Sequence, residues 1–192
     1  IAVLAGSIVE DLAASASAGH HVPEGSGLAN TSVLFGPDGT MRAIYRKHHL
    51  FGYDSRESEL LTPGERIETA EIGGFTVGMA TCYDLRFPGL FRDLLDAGAT
   101  MILLPSAWPY PRIEHWNLLP RARAVENQYV VAAVNGIGEF TDASLLGRSA
   151  VYGPWGTKMG GATDEPETLF VDVDPGRIDR VRDEFPALAD RR

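Results

Sequence analysis

Cys82 is the only cysteine in the chain and the side chain best suited to covalent chemistry. It follows an apolar run, Phe75-Thr-Val-Gly-Met-Ala-Thr81, and precedes Tyr83-Asp84-Leu85-Arg86 and a stretch with helical character. A side chain on a tight strand-to-helix turn points outward with the next backbone N–H groups nearby, which suits a nucleophile and half of an oxyanion hole. The competing reading is a cysteine packed as a small hydrophobe. Placement in the sequence decides neither its exposure nor its thiolate character. A nucleophilic thiol also needs a base. Five histidines are available, His20, His21, His48, His49 and His115, and none sits in a segment that marks a cysteine protease. His48 and His49 are adjacent, so on an extended segment only one of them faces a given side. One cysteine and scattered histidines lack the ligand spacing of a zinc site, so no metal is expected.

The elements that must hold Cys82 can be read from pattern. Ile1 to Ala5 is short, apolar and followed by Gly6, which predicts a buried strand. Glu10 to Asn30 predicts a surface loop or weak helix. Ser32 to Phe35 and Met41 to Tyr45 flank Gly36-Pro-Asp-Gly39, a hairpin signal. Arg46 to Arg66 lacks a period and carries Gly52, Pro63 and Gly64, so a long loop is expected, and such loops are often functional. Glu68–Ile72 and Phe75–Thr81 read as two strands joined at Gly73-Gly74. Pro88 to Ala97 has Leu90, Phe91, Leu94 and Leu95 at helical spacing with Gly98 as a stop. A strand at Met101–Leu104, a helix at Glu114–Asn127 and a strand at Tyr129–Asn135 follow. This alternation predicts an α/β layered fold with helices covering a sheet. Further strands are expected at Arg148–Tyr152 and Thr168–Asp174, and the charged tail from Pro175 to Arg192 is expected on a surface or against a partner subunit.

The 192 residues suffice for one substantial core. With 44% hydrophobic and 22% charged residues the composition is that of an ordinary globular protein. A net charge of −9 argues against nucleic acid or an anionic membrane as partner. No apolar run approaches membrane-spanning length and no signal peptide is visible. A lone cysteine fits a reducing cytoplasm. The chain does not start with Met and Ile1 to Ser7 already reads like a core strand, so a preceding segment is expected.

Several segments together resemble the nitrilase superfamily of carbon–nitrogen hydrolases. Tyr45-Arg-Lys-His-His-Leu-Phe51 is similar to its lysine segment, and Thr81-Cys-Tyr-Asp-Leu-Arg-Phe-Pro88 to its nucleophile turn. Leu103-Leu-Pro-Ser-Ala-Trp-Pro109 and Arg121-Ala-Arg-Ala-Val-Glu-Asn127 resemble the next two segments, in the same order. Asn30, Gly39, Pro63-Gly64, Asn135, Gly147-Arg-Ser149 and Pro154-Trp-Gly156 fall at fitting intervals. The resemblance spans essentially residues 1–192 as one domain, and the wording is nearest the ω-amidase and deaminated-glutathione amidase branch.

The resemblance implies an α-β-β-α sandwich, here lacking its first strand-helix units, and hydrolysis of a small amide through a thioester at Cys82. It implies that Lys47 steadies the oxyanion alongside the backbone N–H of Tyr83. A second glutamate is implied before Pro63-Gly64; Glu57 fits best, with Glu59 as rival, either accepting a proton or holding Lys47. The general base is expected upstream of Ile1; Glu10 and Glu24 sit in the wrong segments. Arg86 is a candidate for a substrate carboxylate or for a salt bridge across the turn, Trp108 for the pocket wall, and Glu126 for a structural partner. Without its base, the chain would be a catalytically impaired binding or oligomerisation module. A redox-sensing thiol is a third reading, disfavoured because no resolving cysteine exists. No cofactor is implied, and a homodimer or larger homo-oligomer is expected.

Overall fold

The computed structural model describes residues 1–24, 27–140 and 143–191. In chain order the elements are β1 (Val3–Asp11), α1 (Leu12–Ser17), β2 (Leu28–Phe35), β3 (Met41–Arg46), α2 (Glu57–Leu60), β4 (Thr69–Ile72), β5 (Phe75–Met79) and α3 (Pro88–Asp96). Then come β6 (Met101–Ser106), α4 (Ile113–Asn127), β7 (Val130–Asn135), β8 (Ile137–Phe140), β9 (Ala143–Leu146), β10 (Ala150–Tyr152), β11 (Lys158–Gly161) and α5 (Gly176–Glu184).

Two sheets carry the fold. An antiparallel sheet has the order β1-β2-β3, and a mixed sheet has the order β11-β10-β7-β6-β5-β4. In the second sheet β5, β6 and β7 run parallel, connected through α3 and α4. Parallel neighbours need such crossovers, which cover the sheet with helices. The two-residue turn Gly73-Gly74 joins β4 to β5, both glycines at positive φ, as a tight hairpin requires.

Apolar periodicity explains the layers. On α3, Leu90, Phe91, Leu94 and Leu95 are buried, and on α4 Ile113, Trp116, Pro120, Arg123, Ala124 and Asn127 recur at three- and four-residue steps. Leu90, Phe91, Leu94, Leu95, Ile113, Trp116 and Ala124 meet Ile102, Leu104, Val131 and Ala133 of the mixed sheet in one core cluster. The opposite face of that sheet, through Val77, Met79 and Val130, packs with Leu34, Ala43 and Tyr45 of the antiparallel sheet. The order helix, sheet, sheet agrees with the α/β sandwich that the resemblance implies.

Four local expectations are corrected. The first strand is β1, and it is not a core strand: Val3, Ile8 and Val9 are exposed, because β1 ladders only with β2 and stands at the end of its sheet. Glu10–Asn30 holds the weak helix expected there, α1, capped by Asp11 accepting from Ala13 N (2.9 Å) and Ala14 N (3.1 Å), but strands intrude at both ends, β1 running to Asp11 and β2 beginning at Leu28. Thr168–Asp174 forms no ladder; Leu169 and Val171 approach Gly160 of β11 through side chains instead. The tail is not merely superficial, since α5 buries Ile178 and Val181 at a three-residue step.

Candidate active site

The C-terminal ends of three parallel strands converge on one cavity of about 850 Å³. Cys82 follows β5, Ser106 closes β6 and Asn135 closes β7, and all three line it. This is where open α/β sheets hold their ligands. Lys47, Glu57, Tyr83 and Trp108 line the same cavity.

Cys82 opens a five-residue 3₁₀ turn, Cys82–Arg86, with φ +48°. A left-handed backbone is costly for a side chain bearing Cβ and persists where surroundings impose it, often at reactive sites. Here the imposing group is Asp84, which is fully buried. Its carboxylate accepts from Thr81 N (2.9 Å), Tyr45 Oη (2.6 Å), His49 N (2.9 Å) and His49 Nδ1 (2.8 Å). The lysine segment is thereby bonded two residues before and two residues after Lys47 to the cysteine turn. From the other side, the buried Arg123 guanidinium donates twice to the carbonyl of Leu85 (3.2 and 3.0 Å) and once to Glu126 (2.8 Å). Glu126 is therefore a partner of Arg123, and Arg123 is the group that holds the turn.

Lys47 is only 3% exposed. Its backbone N–H donates to Asn30 O (2.8 Å) and its carbonyl accepts from Gly64 N (2.9 Å). Gly64 is required there, since a Cβ would come within 2.0 Å of Arg46 O. The Lys47 ammonium donates to both oxygens of Glu57, at 2.9 and 2.7 Å. Glu57 accepts two further bonds, from Asn30 Nδ2 (2.8 Å) and Phe51 N (2.8 Å). Four donors occupy roughly all the acceptor sites of a carboxylate. The rival, Glu59, pairs instead with Arg56 on the surface.

Trp108 is buried and fixed at both ends: its N–H donates to Asn135 Oδ1 (2.6 Å) and its Nε1 to Arg112 O (2.8 Å). Arg86 is not among the residues lining the cavity. Its guanidinium stacks on Trp108, 4.8 Å from the ring centre, and donates to His115 Nδ1 (3.1 Å). Glu10 lies away from the cavity lining in a buried pair with Arg46, at 2.5 Å. Among the described residues no three His, Cys, Asp or Glu side chains converge as metal ligands.

A thiol on a strained turn is of a type that can attack a carbonyl carbon, and a buried ammonium held by a glutamate is of a type that can stabilise the resulting oxyanion. Asp84 and Arg123 went unassigned in the sequence reading. Asp84 carried a signal, the capping-box spacing Thr81-x-x-Asp84 that the bond from Thr81 N realises, whereas the burial of Arg123 against Leu85 O is a tertiary fact.

The chain belongs to the carbon-nitrogen hydrolase family, whose profile matches residues 1–183. It is 37% identical over 171 residues to a 2-oxoglutaramate amidase from Paenarthrobacter nicotinovorans, covering 87% of this chain and 58% of that protein. It is 35% identical to an omega-amidase from Homo sapiens, covering 86% and 63%. Among solved structures, the carbon-nitrogen hydrolase from Helicobacter pylori G27 superposes with a TM-score of 0.81 at 27% identity, over 86% of this chain and 63% of that one. An amidase from Nesterenkonia sp. AN1, carrying a covalent acetamide moiety on its active-site cysteine, superposes with a TM-score of 0.73 at 31% identity, over 88% and 62%. The chain thus spans less than two thirds of these relatives.

Proposed function

We propose that the protein hydrolyses a non-peptide carbon–nitrogen bond in a small linear amide, in the manner of an ω-amidase. The observation that carries this is one cavity lined by Cys82, on its left-handed turn, and by the buried Lys47. In this reading the Cys82 thiolate attacks the amide carbon. The tetrahedral oxyanion is met by the Lys47 ammonium and the Tyr83 backbone N–H, whose charge and dipole count for more in a dry pocket than in water. Collapse expels ammonia or an amine and leaves a thioester. Water then attacks the thioester, and the carboxylic acid departs with Cys82 restored. Glu57, with four donors on it, is assigned to holding Lys47; a second carboxylate, which the family resemblance implies, takes the thiol proton, gives it to the departing nitrogen, then takes a proton from the attacking water and returns it to the Cys82 sulfur.

The names of the amidase relatives support the amide class. The need for a free thiol supports a reducing, cytoplasmic setting. The exposed apolar residues Leu118 and Val125 on α4 support a homodimer or larger homo-oligomer. Among the described residues, no helix is long and apolar enough to cross a membrane. The test is ammonia release by the full-length protein from 2-oxoglutaramate and other small amides. Wild type is expected to release it and a Cys82→Ala variant to release none. Equal release by both would sink the proposal.

A further inference from the structure

Four charged side chains line the cavity: Lys47, Asp54, Glu57 and Arg112. Lys47 and Glu57 neutralise one another. Asp54 sits exposed on the loop that also contributes Tyr53 and Ser55 to the lining. Arg112 remains, and among the described residues it has no carboxylate within ion-pair distance. Its one side-chain contact of note is with the ring of Phe51, 5.7 Å from the guanidinium.

The backbone of Arg112 is well anchored. Its N–H donates to Pro109 O (3.1 Å), and its carbonyl accepts from Trp108 Nε1 (2.8 Å) and His115 N (3.1 Å). The guanidinium is therefore carried by a fixed point on the wall, against an aromatic face that leaves its N–H edge available. A planar, permanently charged fork in this position matches a carboxylate, which it binds through two parallel hydrogen bonds. Arg86 has no such opportunity, since it is stacked behind Trp108 and engaged with His115.

We propose that Arg112 is the specificity-determining residue of the site, holding a carboxylate at the far end of the substrate while the amide carbon lies at Cys82. Selectivity for amides that carry a distal carboxylate, already part of the ω-amidase reading, is thereby assigned to this one side chain. The inference rests on Cys82 being the nucleophile.

The test compares glutaramate with valeramide, matched in length and differing in the terminal carboxylate, on the full-length protein. In Arg112→Gln the ratio of kcat/KM for glutaramate over valeramide should fall between about tenfold and a hundredfold, the range expected for a hydrogen-bonded charge pair, and the fall should appear mainly in KM. Arg112→Lys, which keeps the charge and loses the fork, should lie between. As a measure independent of turnover, glutarate should slow iodoacetamide alkylation of Cys82 in wild type and not in Arg112→Gln. A ratio unchanged in Arg112→Gln, or equal protection by glutarate in both proteins, overturns the assignment while leaving amide hydrolysis standing. Release of ammonia from neither amide by wild type overturns both.

Discussion

The Tyr45 phenol donates a 2.6 Å hydrogen bond to Asp84, and with it the lysine segment is bolted to the cysteine turn. Neither residue lines the cavity, yet the bond links the two backbones that present Lys47 and Cys82 to it. Burial, and after it the neighbouring Asp84 charge, pushes the Tyr45 phenol well above its ordinary value of 10.0. The unfolded chain ionises this phenol near pH 10 while the folded chain does not. Its contribution to stability is therefore complete below pH 10 and declines as pH rises beyond it. Tyr45→Phe should cost about 1–3 kcal/mol at neutral pH, because a buried acceptor loses its donor. The gap between wild type and variant should narrow above pH 10. Urea melts across that range check this, and a constant gap would refute it.

Glu57→Gln preserves shape but leaves the buried Lys47 ammonium without its counter-charge. Removing one partner of a buried pair typically costs about 3 kcal/mol or more. Displacement of Lys47 from the oxyanion should also lower kcat by roughly 10²-fold or more. Glu59→Gln, on a solvent-exposed pair, should alter stability by no more than about 0.5 kcal/mol. Thermal melts and ammonia release distinguish the two; wild-type kinetics in Glu57→Gln would remove Glu57 from the site.

Cys82 tests strain and chemistry separately. Cys82→Ala and Cys82→Gly should each lose at least about 10³-fold in turnover, since both remove the nucleophile. Cys82→Gly should nevertheless be the more stable of the two by about 0.5 kcal/mol or more, because φ +48° is free of a Cβ penalty only for glycine. Differential scanning calorimetry on the pair decides this, and the reverse order would show that the turn is not strained.

Gly64→Ala places a methyl group 2.0 Å from Arg46 O, a backbone atom that cannot swing aside. The loop must move off the lysine segment, at a cost of about 2 kcal/mol or more. Because Gly64 N also bonds to Lys47 O, kcat should fall with stability. Full activity in this variant would argue that the Pro63-Gly64 contact does not position Lys47.

Local pattern determined a good deal. The hairpin around Gly36-Pro-Asp-Gly39, the β5–α3–β6–α4–β7 alternation and the amphipathic faces of α3 and α4 follow from turn chemistry and from periods of two and about 3.6 residues, which act between near neighbours. The order of motifs around Lys47, Cys82 and Trp108 was enough to suggest the family. What failed were segments whose state depends on a distant neighbour. Ile1 and Val3, in the run expected as a buried strand, are exposed, because β1 is an end strand, and Thr168–Asp174 has strand composition with no ladder to join. The apolar positions of α5, few among charges, are buried, with Ile178 joining the cluster that both sheets form.

The same division holds for the cavity that Cys82 lines. The sequence by itself determined that a lone cysteine follows an apolar strand and that a lysine and a glutamate precede it, because residue type and spacing are local properties. Only the tertiary structure decided that Glu57 rather than Glu59 meets Lys47, that Asp84 and Arg123 grip the turn, and that Arg112 rather than Arg86 lines the cavity. Hydrogen bonds and ion pairs fall off within a few ångströms. Which charge is a partner and which is solvated is therefore settled by where the two sheets and α4 bring residues far apart in the chain.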